Sequence, residues 1–256
     1  MMLPVTQTTE LEDRTPPRSR RPLVILALVA VLAVGAVAVA YAVFFTDDAP
    51  ERLTLSDQPA TTPDGASAGT GGQTPTEIVG TWRAATGSEA GYRVREKLAA
   101  LPAKSDAVGR TPAVTGTVTV ERAGESLVAT DARFEADLTK LTSDESRRDN
   151  RIRTDGLQTN RFPRATFVST APITLPPGTA TGEAVKVEAE GDLTLHGVTK
   201  RVTIPLDVRY TGGRGELAGS LSFPMSDFDI NPPNIGGFVT VDPDATLEFK
   251  LLLEKA

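Results

Sequence analysis

The chain has 256 residues, 27 Lys+Arg against 33 Asp+Glu for a formal net charge of -6, one His and no Cys. That balance carries no basic footprint for nucleic acid, and the missing cysteines exclude disulfides, thiol nucleophiles, iron–sulfur clusters and Cys-type zinc sites. The single imidazole, His196, rules out any two-histidine metal site and leaves only one base for a Ser-His-Asp arrangement.

Residues 1–22 form a polar leader with Arg14, Arg18, Arg20 and Arg21 close to an apolar run from Leu23 to Phe45. This run holds no charge, and as a helix it reaches about 34 Å, enough to cross a hydrocarbon core of about 30 Å. Asp47, Asp48 and Glu51 follow it, so the positive-inside rule places the N-terminus in the cytoplasm and the rest of the chain outside, on a single-pass anchor. Cleavage as a signal peptide is the competing reading, because small-residue triplets occur between Ala36 and Ala40; the protein would then be secreted. Residues 46–76 are dominated by Thr, Pro, Gly, Ala and Asp and read as a flexible linker.

From residue 77 to 256 the apolar period changes to two. Val114, Gly116, Val118 and Val120 alternate with threonines, and Val185, Val187, Ala189, Gly191, Leu193 and Leu195 alternate with charged or polar residues. Val202, Ile204, Leu206 and Val208 repeat the pattern, and further strands are predicted over Val128 to Leu138, Phe162 to Ser169, Glu216 to Phe223 and Thr246 to Glu254. About eight strands in succession, with turn signals between them, predict an all-β antiparallel up-and-down barrel or sandwich. One short surface helix is predicted over Ser143 to Arg153. Thr142-Ser143-Asp144-Glu145 fits a capping box there, and Ile152 is the only strongly apolar residue.

Three motifs then resemble the YceI-like domain family: Ser146-Arg147-Arg148-Asp149-Asn150-Arg151-Ile152-Arg153, Arg161-Phe162-Pro163-Arg164-Ala165-Thr166-Phe167, and Gly191-Asp192-Leu193-Thr194-Leu195-His196-Gly197-Val198-Thr199-Lys200. Gly80-Thr81-Trp82 and Gly91-Tyr92-Arg93-Val94 resemble the family's first two strands. The resemblance implies an extracytoplasmic lipocalin-like barrel whose interior holds a polyisoprenoid or similar apolar lipid, with no cofactor, no metal and no catalytic residue. The residues expected to face that interior are Val118, Phe134, Phe167, Val187, Leu193, Ile204, Leu206, Leu221, Phe223, Phe249 and Leu251. Each one taken singly fits a packed core, and a barrel filled by such side chains would make the domain a surface or stress-related interaction module without a lipid; as a set they are the expected cavity wall.

The candidate rim combines Ile235 and Phe238, on a Pro-Pro to Gly-Gly loop, with Arg147, Arg148 and Arg151 of the helix. The arginines also suit phosphate binding or a helix laced by its own acids. His196 shares strand parity with Asp192 and Thr194, which puts it on the wet face as a hydrogen bonder that fixes the turn at Gly197. A hydrolase or isomerase using His196 as its base is the competing reading.

Overall fold

The computed structural model describes residues 49–57, 78–98, 104–235 and 239–256. The apolar run Leu23 to Phe45 and most of the linker lie outside them, and no helix among the described residues is long and apolar enough to cross a membrane.

Twelve strands occur among the described residues: β1 (Gly80–Ala84), β2 (Glu89–Leu98), β3 (Lys104–Thr111), β4 (Val114–Ala123), β5 (Ser126–Asp137), β6 (Arg164–Ser169), β7 (Ile173–Leu175), β8 (Val185–Leu195), β9 (Val198–Thr211), β10 (Arg214–Pro224), β11 (Asn234–Ile235) and β12 (Val239–Lys255). Eight of them close a ring in the order β1-β4-β5-β6-β8-β9-β10-β12, with β12 returning to β1. Every strand pairing is antiparallel, as the succession of strands without intervening helices predicts.

The period-two pattern is realised directly in β8, where Val187, Ala189, Gly191, Leu193 and Leu195 are buried and Lys186, Glu188 and Glu190 are exposed. Less legible in sequence is the way β1 and β2 together follow one edge of β12. Trp82 lies opposite Lys255 and Ala84 opposite Leu253, and the line resumes with Glu89 opposite Lys250. At the joint, Ala85 N donates to the Leu252 carbonyl at 2.7 Å, and Leu252 N donates to Ser88 Oγ at 3.0 Å. A side chain thus replaces the backbone partner that the interruption removes. On the other side of this line β4 pairs with β1 and β3 with β2. Asp242-Pro243-Asp244 falls inside β12 at a shift of register between Val241 and Ala245, where the prolyl nitrogen needs no ladder partner.

The helix forms over Ser146–Thr154 (α1), three residues later than its sequence start. Glu145 is the N-cap and its carboxylate accepts from Arg147 N. Ser143 instead donates from N and Oγ to the Asp149 carboxylate at 3.0 and 2.7 Å, closing the approach loop. Ile152 corrects the expectation of a helix with little core contact: it packs against an apolar cluster built on Leu138, Leu141, Leu195, Met225, Phe228 and Ile230.

Residues 49–57 also depart from the sequence reading. They are docked on the outer wall of the barrel, where they act as a strap rather than as part of a free linker. Arg93 Nη2 donates to the Pro50 carbonyl at 2.6 Å, Arg110 Nη2 to the Glu51 carbonyl, and Arg209 Nη2 to the Ser56 carbonyl at 2.6 Å. Ser56 donates from both N and Oγ to Glu216 Oε1 at 2.7 Å. Polar composition predicted disorder, but the three guanidinium groups that hold this backbone come from distant strands and leave no local signature.

Candidate functional site

The inward faces of the ring do not fill the barrel. A first apolar chamber, about 160 Å³, is walled by side chains from β4, β5, β6, β7, β8, β9, β10 and β12. Of the residues expected to face the interior, Val118, Phe134, Phe167, Val187, Leu193, Ile204, Leu206, Phe249 and Leu251 line it. Ala129, Ala132, Ile173, Leu175, Ala189, Val208, Leu217, Leu247 and Leu253 are also part of the wall. Ala129 and Ala132 went unmarked in sequence because a small side chain gives little apolar signal. In a lining, small side chains leave the room. Gly191 acts in the same way: a Cβ there would come within 2.4 Å of the Phe167 ring, so its absence lets the ring lie across β8.

A second chamber, about 120 Å³, adjoins the first and is capped by α1 and the segments around it. Leu138, Leu141, Ile152, Leu157, Leu195, Phe223, Met225 and Ile230 supply its apolar wall, with Tyr92, Glu96 and Arg148 as its titratable groups. Phe223 therefore belongs to this chamber and not to the first. Leu221 lines neither; it packs against the cluster beneath.

Among the three candidate arginines of the rim, Arg148 is the one that reaches a chamber. Its guanidinium donates to Glu96 on β2 at 3.2 and 3.1 Å and to Asp144. Burial alone would lower the Arg148 pKa, but these carboxylates hold it above the ordinary arginine value. Arg147 and Arg151 are exposed and line neither chamber. The backbone of Ile235 pairs with Val239, whereas Phe238 lies outside the described residues. Burial raises the Tyr92 hydroxyl well above the usual tyrosine pKa, with the Arg148 charge opposing and Asp149, Glu96 and Asp144 adding to the rise, so it stays a protonated donor.

His196 is buried, against its expected place on the wet face. Strand parity ends at Leu195, because His196 and Gly197 form the two-residue hairpin turn with φ of 53° and 80°. Positive φ at both central positions is the geometry of a type I′ turn, and it rotates the imidazole out of the strand's alternation. The ring packs at 4.4 Å on Phe162, and Nδ1–H donates to the Phe228 carbonyl at 3.0 Å. A Cβ at position 197 would meet the same Phe162 ring at 2.7 Å. The imidazole thus fastens the β8–β9 turn to the segment after β10, and it lines neither chamber.

A family model described as the YceI-like domain matches residues 84–253. The chain belongs to this family. The chain is 34% identical over 119 residues to a UPF0312 protein of Vibrio parahaemolyticus, an overlap covering 44% of this chain and 58% of that one. It is also 36% identical over 115 residues to a UPF0312 protein of Pseudomonas putida, covering 42% and 56%. The chain thus spans little more than half the length of these relatives. Among solved structures, a polyisoprenoid binding domain from Saccharophagus degradans, implicated in plant cell wall breakdown, superposes with a TM-score of 0.53 at 20% identity, covering 70% of this chain and 99% of that one. At that identity the likeness establishes the shared YceI-like fold.

Proposed function

We propose that this protein is a binding protein, held at the outer face of the cytoplasmic membrane, which carries an apolar polyisoprenoid-type lipid inside its barrel. The observation that carries the reading is the pair of adjoining apolar chambers, whose walls come from nearly every strand of the ring. An elongated hydrocarbon gains about 25 cal/mol per Å² on leaving water for such a surface and asks for no catalytic group. The fold shared with a polyisoprenoid binding domain agrees with this ligand class. His196, whose Nδ1 is engaged by Phe228, has a structural duty that needs no reaction. The uncharged run Leu23 to Phe45, with arginines before it and acids after it, supports membrane tethering and an extracytoplasmic barrel. A filled-barrel interaction module is less consistent with the open interior.

The test is organic extraction of the purified full chain, followed by mass measurement of what is released. Isoprenoid lipid is expected from the native protein and is expected to be lost from Leu193→Arg and Ile204→Arg variants, which place a charge against the first chamber. Native mass spectrometry of a folded protein that is empty and fails to take up added isoprenoid would remove the reading. Topology has its own measurement: a protease added outside intact cells should reach the barrel.

A further inference from the structure

The two edges of β8 are bonded to unequal extents. On one edge it pairs with β9 over its full length, Val185 to Leu195. On the other it pairs with β6 only over residues 191–194, and the Glu190 carbonyl, which accepts from Thr170 N at 3.0 Å, is the last rung. Beyond that rung β7 takes the place of β6 beside β5, in nearly the same register. Among the described residues no strand pairs with residues 185–189 of β8 on this side. Glu190 presents its backbone to this edge, so by the period of two Glu188 and Lys186 do the same, and their amides and carbonyls face β7 with no ladder to join the two strands. β7 still runs beside β8, with Cα atoms within 8 Å of one another. The ring is closed here by side chains alone.

What fills this seam belongs to the first chamber: Ile173 and Leu175 of β7 and Val187 and Ala189 of β8 all line it. With the β6–β8 register continued across the gap, Ile173 falls opposite Val187 and Thr174 opposite Lys186. At one end the Phe167 ring lies over Gly191, beside the last rung. At the other end the 3-10 turn Pro177–Thr181 carries the chain round to β8. That turn bonds to itself, Thr179 N to the Pro176 carbonyl at 3.0 Å and Thr181 Oγ1 to the Gly178 carbonyl at 2.9 Å. The Thr179 hydroxyl is buried and has no hydrogen-bond partner among the described residues, and neither has the Thr211 hydroxyl on β9. The turn therefore rests on β9 without being tied to it by either group.

Parting any neighbouring pair of the ring breaks a ladder of hydrogen bonds, whereas parting β7 from β8 breaks none. Moving β7 wholly aside adds only its three-residue pairing with β5. What is lost is the apolar contact of Ile173 and Leu175, and a hydrocarbon chain sliding into the gap replaces that contact as it goes. The α1 end of the barrel is fastened more firmly, because Arg148 ties the helix to Glu96 of β2 at 3.2 and 3.1 Å. We propose that the seam between β7 and β8 is a lateral portal by which the lipid enters and leaves the first chamber, opened by movement of residues 173–181 away from β8. This rests on the lipid-binding reading and adds to it the route and the segment that moves.

The chain has no cysteine, so a pair of thiols can be introduced without background. Thr174→Cys and Lys186→Cys, both at exposed positions, are joined in the full chain in detergent by a short reducible bis-methanethiosulfonate, and the joining is verified by intact mass. Bound geranylgeraniol is then exchanged for its deuterated form and followed by native mass spectrometry, so that rate is read apart from affinity. The joined protein should exchange at least about tenfold more slowly than the native chain at unchanged occupancy, and reduction should restore the rate. The same link between Glu190→Cys and Thr203→Cys, which face one another across the β8–β9 ladder, should leave exchange within about twofold of native. Leu175→Ala should speed uptake and release alike, by severalfold; faster release alone would report lost affinity and count against the portal. Unchanged exchange in the joined protein, or equal slowing by the control link, would overturn it. Failure of the native chain to hold geranylgeraniol would instead strike the lipid reading itself.

Discussion

The two faces of β12 make opposite uses of the same strand. Leu247, Phe249, Leu251 and Leu253 point inward and wall the first chamber. Glu248 and Lys250 alternate with them and point outward, yet Glu248 is only 1% exposed. Arg93 Nε and Arg110 Nη2 reach Glu248 at 3.4 and 3.0 Å, and the strap lies over both guanidinium groups. Lys250 donates to Ser56 Oγ at 2.8 Å and approaches Glu216 at 3.5 Å. One side of the strand is therefore apolar and open, while the other is charged and covered. Alternation in a sequence tells which residues share a face, and it says nothing of whether a polar face stays wet.

This contrast can be broken from either side. The largest effect is expected from Glu248→Ala, which leaves Arg93 and Arg110 beneath the strap without their shared carboxylate. Removing one partner of a buried pair costs about 3–5 kcal/mol, measurable as a lowered denaturant midpoint with an unchanged slope. On the inner face, Leu251→Ala should cost about 2 kcal/mol, near the low end for a buried leucine because its neighbourhood is already a cavity. Lipid recovered on extraction should fall with it, whereas Glu248→Ala should leave the bound species unchanged.

Much of the barrel was legible because β4, β8 and β9 alternate cleanly, and nine of the eleven expected interior residues do line the first chamber. β3 was not legible: Lys104 to Thr111 has no alternation and becomes a strand by pairing with β2. His196 was misplaced because a positive φ at the first turn residue ends the parity rule one position early. The second chamber was largely missed. Its wall mixes strand residues with Leu138, Leu141, Ile152, Leu157, Met225 and Ile230, which come from short turns, a helix and loops with no common period.

A smaller effect separates the strap from the chambers. Burial would raise the Glu216 carboxyl, but the Ser56 amide and hydroxyl and the Arg209 guanidinium hold it below the ordinary glutamate value. A lowered folded-state value means that this contribution is fully present above the unfolded value of about 4.3 and is lost as the pH falls through the lowered one. Protection of the amides in residues 49–57, taken as the exchange rate relative to that of an unstructured peptide at the same pH, should therefore fall on acidification below about pH 4, and Glu216→Gln should flatten that dependence. The smallest change is expected at Arg147 and Arg151: their alanine variants should alter stability by no more than about 0.5 kcal/mol and leave lipid recovery as it was.

The strap also decides where this barrel can be trimmed. Composition turns strand-like near residue 77, but a barrel cut there would expose a gutter of acids and guanidinium groups that have lost their carbonyl partners, running across four strands of its outer wall, from Arg93 on β2 and Glu248 on β12 to Glu216 on β10 and Arg209 on β9. Such a gutter is a ready seat for any extended peptide that offers carbonyls in the right sequence, including the strap of a second molecule. Keeping residues 49–57 fills the seat from within, and a trimmed version of this barrel is best judged first by whether it remains a monomer.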